Sequence, residues 1–413
     1  MTTGEDRPPP DASSAGRDPP KAGPAIRDFP GIDPSGTDGP IRWKSFATVI
    51  ICLMVFDVTM GLSYPLISLL LESRGFSPVI VGLNASMMPL GLVLCAPFFP
   101  RLAERFGPWR FAVGCIAATA ILLTLIKVSD TLAAWFVLRF LLGVVQGGLF
   151  AISEVWINQL ASGRNRGRMI AIYAALLSLG FGSGPFLLPT TGIEGWPPFL
   201  LGITFTTSCL VFMIFARRSL PPFQAERRAS FLAFLPLAPT LLLAAFLLGV
   251  FDTSTLSLFP LYGLGRGLDE GTASYLLGVL IVGNVVLQFP LGWLADIFGR
   301  RRALNACALL TALGALTLPA ARGTFWQWPL VLVWGTTGFG IYTLALADLG
   351  DRFTGSELLA GTAALTAMFG LGGIAGPTLG GAAMDQFGPE GLPALVGIAY
   401  ALLLVVSLIR GRR

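Results

Sequence analysis

Two acidic side chains stand where hydrocarbon is expected. Asp57 lies in Phe56-Asp57-Val58-Thr59-Met60-Gly61-Leu62-Ser63-Tyr64-Pro65, and Asp252 lies 195 positions later in Phe251-Asp252-Thr253-Ser254-Thr255-Leu256-Ser257-Leu258-Phe259-Pro260. Each acid follows an aromatic residue and precedes a proline by eight positions. An ionised carboxylate at the centre of a bilayer costs about 3 kcal/mol or more unless it is paired or wet. Such a group either faces water or is kept neutral by a bound proton, and one that does both by turns can relay protons. The alternative is a structural acid hydrogen-bonded to a Ser or Thr of a neighbouring helix. Matched acids in two halves of a chain point to a duplicated membrane protein with a pathway between its halves.

Arg139 is the permanent counterpart. It lies about eight residues inside an apolar run and, unable to shed its charge, needs a carboxylate or an anionic ligand. Arg139, Gly143, Gln146, Phe150 and Glu154 step by 4, 3, 4 and 4 residues and therefore share one helical face. Asp57 and Arg139 could form a switchable ion pair, or a permanent one that fixes helix packing. Glu154 and Asp348 fall nearer the ends of their runs. They are candidates for a gate or proton exit, or for acids in interfacial water.

The elements that hold these residues follow from composition. Of 413 residues, 12% are charged and 54% apolar, and the mean hydropathy is +0.73, too little polar surface for a soluble protein of this length. Runs of about 20 apolar residues recur, each long enough to cross a bilayer as a helix. The net charge of +5 comes from arginines in short loops, which fits membrane orientation better than nucleic-acid binding. There is no His and no CxxC, and all five cysteines fall in apolar runs. A His-containing metal site is excluded, and a disulfide framework is not expected. No cofactor, Walker A string or nucleophile motif is evident, so neither ATP drive nor a membrane enzyme is expected.

Twelve spans are expected, at roughly 45–71, 78–100, 110–128, 131–159, 167–189, 196–216, 232–261, 271–294, 302–320, 325–347, 358–384 and 391–409. The Pro- and Gly-rich stretch 1–40 reads as a disordered tail without the apolar core of a secretory signal. Residues 41–216 and 232–413 then form two halves of six spans, joined by a linker at 217–231. Nineteen Lys and Arg, including Arg101, Arg164, Arg217 and Arg300, fall on the side of both termini, against four (Arg74, Lys127, Arg266, Arg322) on the other. Both termini are therefore expected in the cytoplasm.

The halves align elsewhere too. Leu102-Ala103-Glu104-Arg105-Phe106-Gly107 matches Leu294-Ala295-Asp296-Ile297-Phe298-Gly299 at an offset of 192, and Gly180-Phe181-Gly182-Ser183-Gly184-Pro185 matches Gly372-Gly373-Ile374-Ala375-Gly376-Pro377. Three landmarks in the same order mark an internal repeat. Pro65, Pro260, Pro185 and Pro377 are placed to bend spans, and Gly184 and Gly376 to let helices approach. Trp156, Trp293, Trp326, Trp328 and Trp334 fall mostly near span ends, where indoles anchor at the interface; Trp334 and Tyr342 could instead face a cavity.

Across 41–413 the chain resembles the major facilitator superfamily. Gly292-Trp293-Leu294-Ala295-Asp296-Ile297-Phe298-Gly299-Arg300-Arg301 resembles its signature loop, whose first-half copy here has Pro100 for the usual Gly and Glu104 for the usual Asp. Arg139 to Gly147 resembles its span 4 pattern, and Glu154-Val155-Trp156-Ile157-Asn158 with Tyr342…Asp351-Arg352 resembles the YcaD-like branch. The resemblance implies an all-α membrane protein, two pseudo-symmetric six-helix bundles with spans 1, 4, 7 and 10 around a central cavity. It implies a secondary transporter of a small organic solute, with protons as coupling ion and Asp57 as the leading carboxylate, monomeric in a bacterial inner membrane. Asp57, Arg139, Gln146, Asp252, Trp334 and Tyr342 are then the cavity candidates. Glu154, Asp348, Gly292, Asp296, Gly299, Arg300 and Arg301 are candidates for a cytoplasmic gate or latch. A transporter-like scaffold or sensor that moves no solute is the alternative.

Overall fold

The computed structural model describes residues 43–160, 166–217, 234 and 236–410. The expected tail, and the expected linker beyond Arg217, lie outside the described residues. What is described is helical: α1 (Trp43–Ser73), α2 (Pro78–Cys95), α3 (Phe99–Phe106), α4 (Pro108–Val128), α5 (Leu132–Leu160), α6 (Arg166–Thr191), α7 (Pro197–Ala216), α8 (Pro239–Gly265), α9 (Glu270–Phe298), α10 (Arg300–Thr317), α11 (Gln327–Arg352), α12 (Gly355–Phe387) and α13 (Gly391–Arg410). A 3-10 turn at Ala96–Phe98 joins α2 to α3, so the two make one broken span. The break falls at Pro97, which has no N–H to continue the helix. Pro65, Pro185, Pro260 and Pro377 instead stand inside continuous helices.

Eleven stretches among the described residues are long and apolar enough to cross a membrane. They coincide with eleven expected spans. The twelfth is α10, whose 18 residues open with Arg300, Arg301 and Arg302 and so dilute its hydropathy. Several helices outrun their expected ends, α9 to Phe298 and α11 to Arg352, because backbone hydrogen bonding continues past the point where polar residues begin.

The repeat is written in close helix contacts. In the first half, a methyl group on Gly180 would collide with the carbonyl of Met54, and one on Gly143 with the carbonyl of Met88. In the second, Gly372 meets Phe246 and Gly335 meets Leu280 in the same way, each residue 192 positions on from its counterpart. Only glycine permits backbones to approach so closely, and in lipid this packing stands in for a hydrophobic driving force. Gly107 and Gly299, again 192 apart, reverse the chain into α4 and α10 with φ of 83° and 90°, a conformation that side chains disfavour.

This register corrects one expectation. Under the offset of 192, Asp57 corresponds to Gly249 and Asp252 to Met60, so the two acids are not symmetry mates. They differ by three residues, about 4.5 Å along a helix. The apparent match of the Asp/Pro stretches comes from the flanking aromatic and proline, not from shared packing.

Two apolar cores are present among the described residues, and they divide the molecule unequally. One joins the second half to one end of the first, through Leu62, Leu66 and Leu69 of α1, Val81, Trp135, Leu188 and Phe199. The other, with Phe46, Leu53, Phe56, Ala112, Ile152 and Met213, is confined to the first half. The shared core lies at the end where α1 stops and α2 starts, the arginine-poor end. There α2 runs against α12 (Gly82 on Pro377, Gly381 on Pro78, Ser86 Oγ 3.0 Å from Thr378 Oγ1), and α6 against α9 (Phe186 and Tyr275 rings 5.9 Å apart). The halves are thus sealed at the arginine-poor end, while toward the arginine-rich end the first half keeps a core of its own.

Candidate functional site

The acids, Arg139 and their neighbours fall at three depths. Helical rise sets Asn84, Arg139 and Tyr64 about 9–14 Å from the arginine-poor ends of α2, α5 and α1. Asp57, Gln146, Asp252 and Tyr342 lie about 20–24 Å from those ends, and Glu154 and Asp348 about 31–33 Å. Since α1 and α5 run in opposite directions, the seven residues from Tyr64 back to Asp57 match the seven from Arg139 on to Gln146.

That ladder decides the partner of Arg139. Its guanidinium lies 5.3 Å from the centroid of the Tyr64 ring, while Asp57 is one rung deeper, roughly 10 Å along the axis. No ion pair joins Asp57 to Arg139 among the described residues. Arg139 is only 1% exposed, yet its Nε and Nη2 have no hydrogen-bond partner. A cation–π contact satisfies part of a buried charge without using up its N–H donors. Tyr64 also stacks obliquely near Phe181 and lies within electrostatic range of Asp252, which links the upper layer to the second half.

The middle layer is equally short of partners. Asp57 is 2% exposed with Oδ1 unpaired, and Gln146 is buried with its Nε2 unpaired. In the upper layer, Asn84, fully buried, has neither amide atom bonded among the described residues. Buried polar atoms are nearly always satisfied, so four such groups in the upper and middle layers of three helices are candidates to meet something else. Asp252 is only half-buried. Toward the arginine-rich end, Tyr173 lies within electrostatic range of both Asp57 and Glu154, and Tyr342 within range of Glu154. Glu154 itself is exposed.

Other expected site residues fall elsewhere. Trp334 is no cavity residue: it is 1% exposed, gives its indole N–H to Thr311 O at 3.0 Å and stands edge-on to Phe251 at 5.2 Å, inside the second half. Trp156 is likewise buried, not interfacial, whereas Trp293, Trp326 and Trp328 are exposed as anchors require. Asp296 is exposed and makes no ion pair among the described residues; Arg300 pairs instead with Asp351 at 2.9 Å, and Arg301 donates to the carbonyl of Ser407. Asp348 holds Arg352, one turn on, at 2.6 Å. Gly292 touches nothing, while Gly184 and Gly376 press on the backbones of α1 and α8. Tyr64, Asn84 and Tyr173 were not among the expected site residues, and Asp351 was singled out only in the Tyr342…Asp351-Arg352 resemblance, not as the partner of Arg300. A lone amide in an apolar run was a signal for Asn84; Tyr64 stood in the stretch around Asp57, where the neighbouring proline was the more conspicuous residue.

Comparison with known proteins settles the family. The family model for the Major Facilitator Superfamily matches residues 49–349 and 241–413. The chain belongs to the Major Facilitator Superfamily. It is 26% identical over 350 residues to YfkF of Bacillus subtilis (strain 168), described as an uncharacterized MFS-type transporter, covering 83% of this chain and 89% of that one. An uncharacterized MFS-type transporter of Yersinia pestis (strain Pestoides F) is 24% identical over 371 residues, covering 87% and 94%. Among solved structures, the nucleoside transporter NupG superposes with a TM-score of 0.70 at 12% identity, covering 91% of this chain and all of that one; a point mutant of NupG gives 0.72 over 88% and 99%. At that identity the likeness is one of fold. The superfamily's members here are transporters, not enzymes, so this chain is an integral multi-pass membrane transporter of a small-molecule solute.

Proposed function

We propose that the chain is a proton-coupled secondary transporter of a small organic solute, working by alternating access in a bacterial inner membrane with both termini in the cytoplasm. The observation that carries this reading is the unequal division of the core. Two six-helix halves (41–216 and 232–413) share a core at the arginine-poor end, while the core toward the arginine-rich end holds first-half residues alone among those described, as in one state of a rocking pair. By the positive-inside rule the arginine-rich end is cytoplasmic. Asp57, buried and unpaired one rung below Arg139, is the coupling carboxylate; Tyr173 and Glu154 lie between it and the cytoplasm as its proton route. Gln146, Asn84, Arg139 and half-buried Asp252 supply hydrogen bonds to the solute, and Asp296 awaits a partner in the state that closes the cytoplasmic end.

The test begins with a thermal-stabilisation screen of solutes on purified protein, followed by flux of the best one in proteoliposomes under an imposed pH gradient. Gradient-driven accumulation by the wild type, lost in Asp57→Asn while solute exchange persists, supports the reading. Accumulation that ignores the gradient defeats proton coupling, and no flux of any stabilising solute defeats transport.

A further inference from the structure

A second polar constellation lies outside the central layers. At the arginine-rich end of the second half, the start of α8 and the neighbouring turns of α10, α11 and α13 enclose a cavity of about 150 Å³. Bulk water occupies about 30 Å³ per molecule, so the space holds roughly five waters or one tetrahedral oxyanion with its hydration. Its walls carry Arg301, Arg352, Arg410, Asp348, Ser407 and Thr240.

The charges do not cancel. Asp348 is consumed by Arg352, with Nη2 to Oδ2 at 2.6 Å and Nε to Oδ1 at 3.0 Å. Arg301 spends one N–H on the carbonyl of Ser407, and neither Arg301 nor Arg410 has an acidic partner among the described residues. The cavity therefore keeps two positive charges in excess. The first turn of the 27-residue α8 forms its edge and adds the positive end of a helix dipole. Independently, Ser407 is 1% exposed and its Oγ has no hydrogen-bond partner among the described residues, a buried donor on the cavity wall. Two guanidinium groups, a helix N-terminus and an unpaired hydroxyl are the donors that a phosphate group accepts from. Leu237, on the wall, is more than half exposed, and so are Leu408 and Ile409, which follow Ser407 on α13.

We infer that this cavity binds a phosphate group, carried either by the headgroup of an anionic membrane lipid or by a soluble phosphate, and that the bound anion ties α8 to α10 and α13. Basic pockets between membrane helices suit such headgroups, and the exposed Leu237 on the wall would meet acyl chains.

The full chain, purified in neutral detergent and stripped of lipid, is melted after addition of phosphatidylglycerol, of phosphatidylcholine, or of inorganic phosphate at constant ionic strength. Phosphatidylglycerol is expected to raise the midpoint by about 3 °C or more over phosphatidylcholine. The rise should be lost in Arg410→Gln and in Ser407→Ala, and kept in Arg302→Gln, an exposed arginine of the first turn of α10 that does not line the cavity. Stabilisation by inorganic phosphate with the same variant pattern assigns the site to a soluble ligand. No stabilisation by either, or equal stabilisation of all three variants, overturns the proposal. The variants need only fold well enough to melt, and Arg410 stands at an exposed helix end.

Discussion

Asp57 and Asp252 stand one helical turn out of register in the repeat that relates the two halves. Gly249, the true counterpart of Asp57, is pressed against the carbonyl of Phe369, so a carboxylate has no room there. Asp252 lies a turn farther toward the arginine-poor end, half-buried and within electrostatic range of Tyr64. Each half of the duplicated fold thus carries one of the two acids, in two different settings.

Different settings predict different defects. Asp57→Asn should abolish gradient-driven accumulation while leaving exchange within about twofold, because it removes the proton site. Asp252→Asn should keep coupling and weaken apparent solute affinity about tenfold, the cost of one buried charge-assisted hydrogen bond. Flux assays with and without a pH gradient separate the two; equal loss of coupling in both variants would contradict the assignment.

Arg139 gives the second prediction. Because its guanidinium rests on the Tyr64 ring and not on an acid, Tyr64→Phe should keep stability within about 0.5 kcal/mol, whereas Tyr64→Leu should lose about 2 kcal/mol or more by leaving a buried cation without its ring. Reversible unfolding in detergent reads both. A Tyr64→Phe loss as large as that of Tyr64→Leu would mean that the hydroxyl, not the ring face, holds Arg139.

Much of the fold was legible because its signals are collective. Runs of apolar residues, the arginine imbalance and the Gly-Pro strings each involve many positions, and a bilayer punishes exceptions. The span whose opening arginines dilute its hydropathy, α10, was still expected, at roughly 302–320, from its apolar run. Partners were less legible. The Arg139–Tyr64 contact depends on two antiparallel helices being level, and Trp334 was turned toward α10 by the fit of its ring against Gly314. Neither follows from spacing within one helix. The register of the repeat was present in the sequence at Gly180/Gly372 and Gly107/Gly299, yet the more conspicuous acids suggested a different one.

The glycine contacts predict a sharp positional contrast. Gly143→Ala and Gly335→Ala each force a methyl group onto a neighbouring backbone carbonyl and should cost about 3 kcal/mol or prevent folding. Gly114→Ala and Gly350→Ala, which meet nothing, should be neutral or slightly stabilising. Expression yield and melting temperature in a matched set check this.

The loop between α8 and α9 yields a pH dependence. Asp269 caps α9, accepting from Thr272 N at 2.9 Å and Thr272 Oγ1 at 2.7 Å, and these bonds hold its carboxyl below the usual range. A group with a lowered folded pKa contributes stability above its unfolded value, near 3.9, and loses it as pH falls through the folded one. Asp269→Ala should therefore cost about 1 kcal/mol at pH 7, with the gap to wild type closing below about pH 4. A gap that widens in acid would contradict the cap.

The central claim is that one end opens as the other closes and that Asp57 sets the balance. Spin labels on a cysteine-free background test it directly: Arg105→Cys with Glu357→Cys spans the arginine-rich end, and Thr190→Cys with Glu270→Cys the other. The account predicts that changing pH shifts the two distance distributions in opposite directions, and that Asp57→Asn abolishes the response. Distances that move together, or a pH response unchanged by Asp57→Asn, would contradict it.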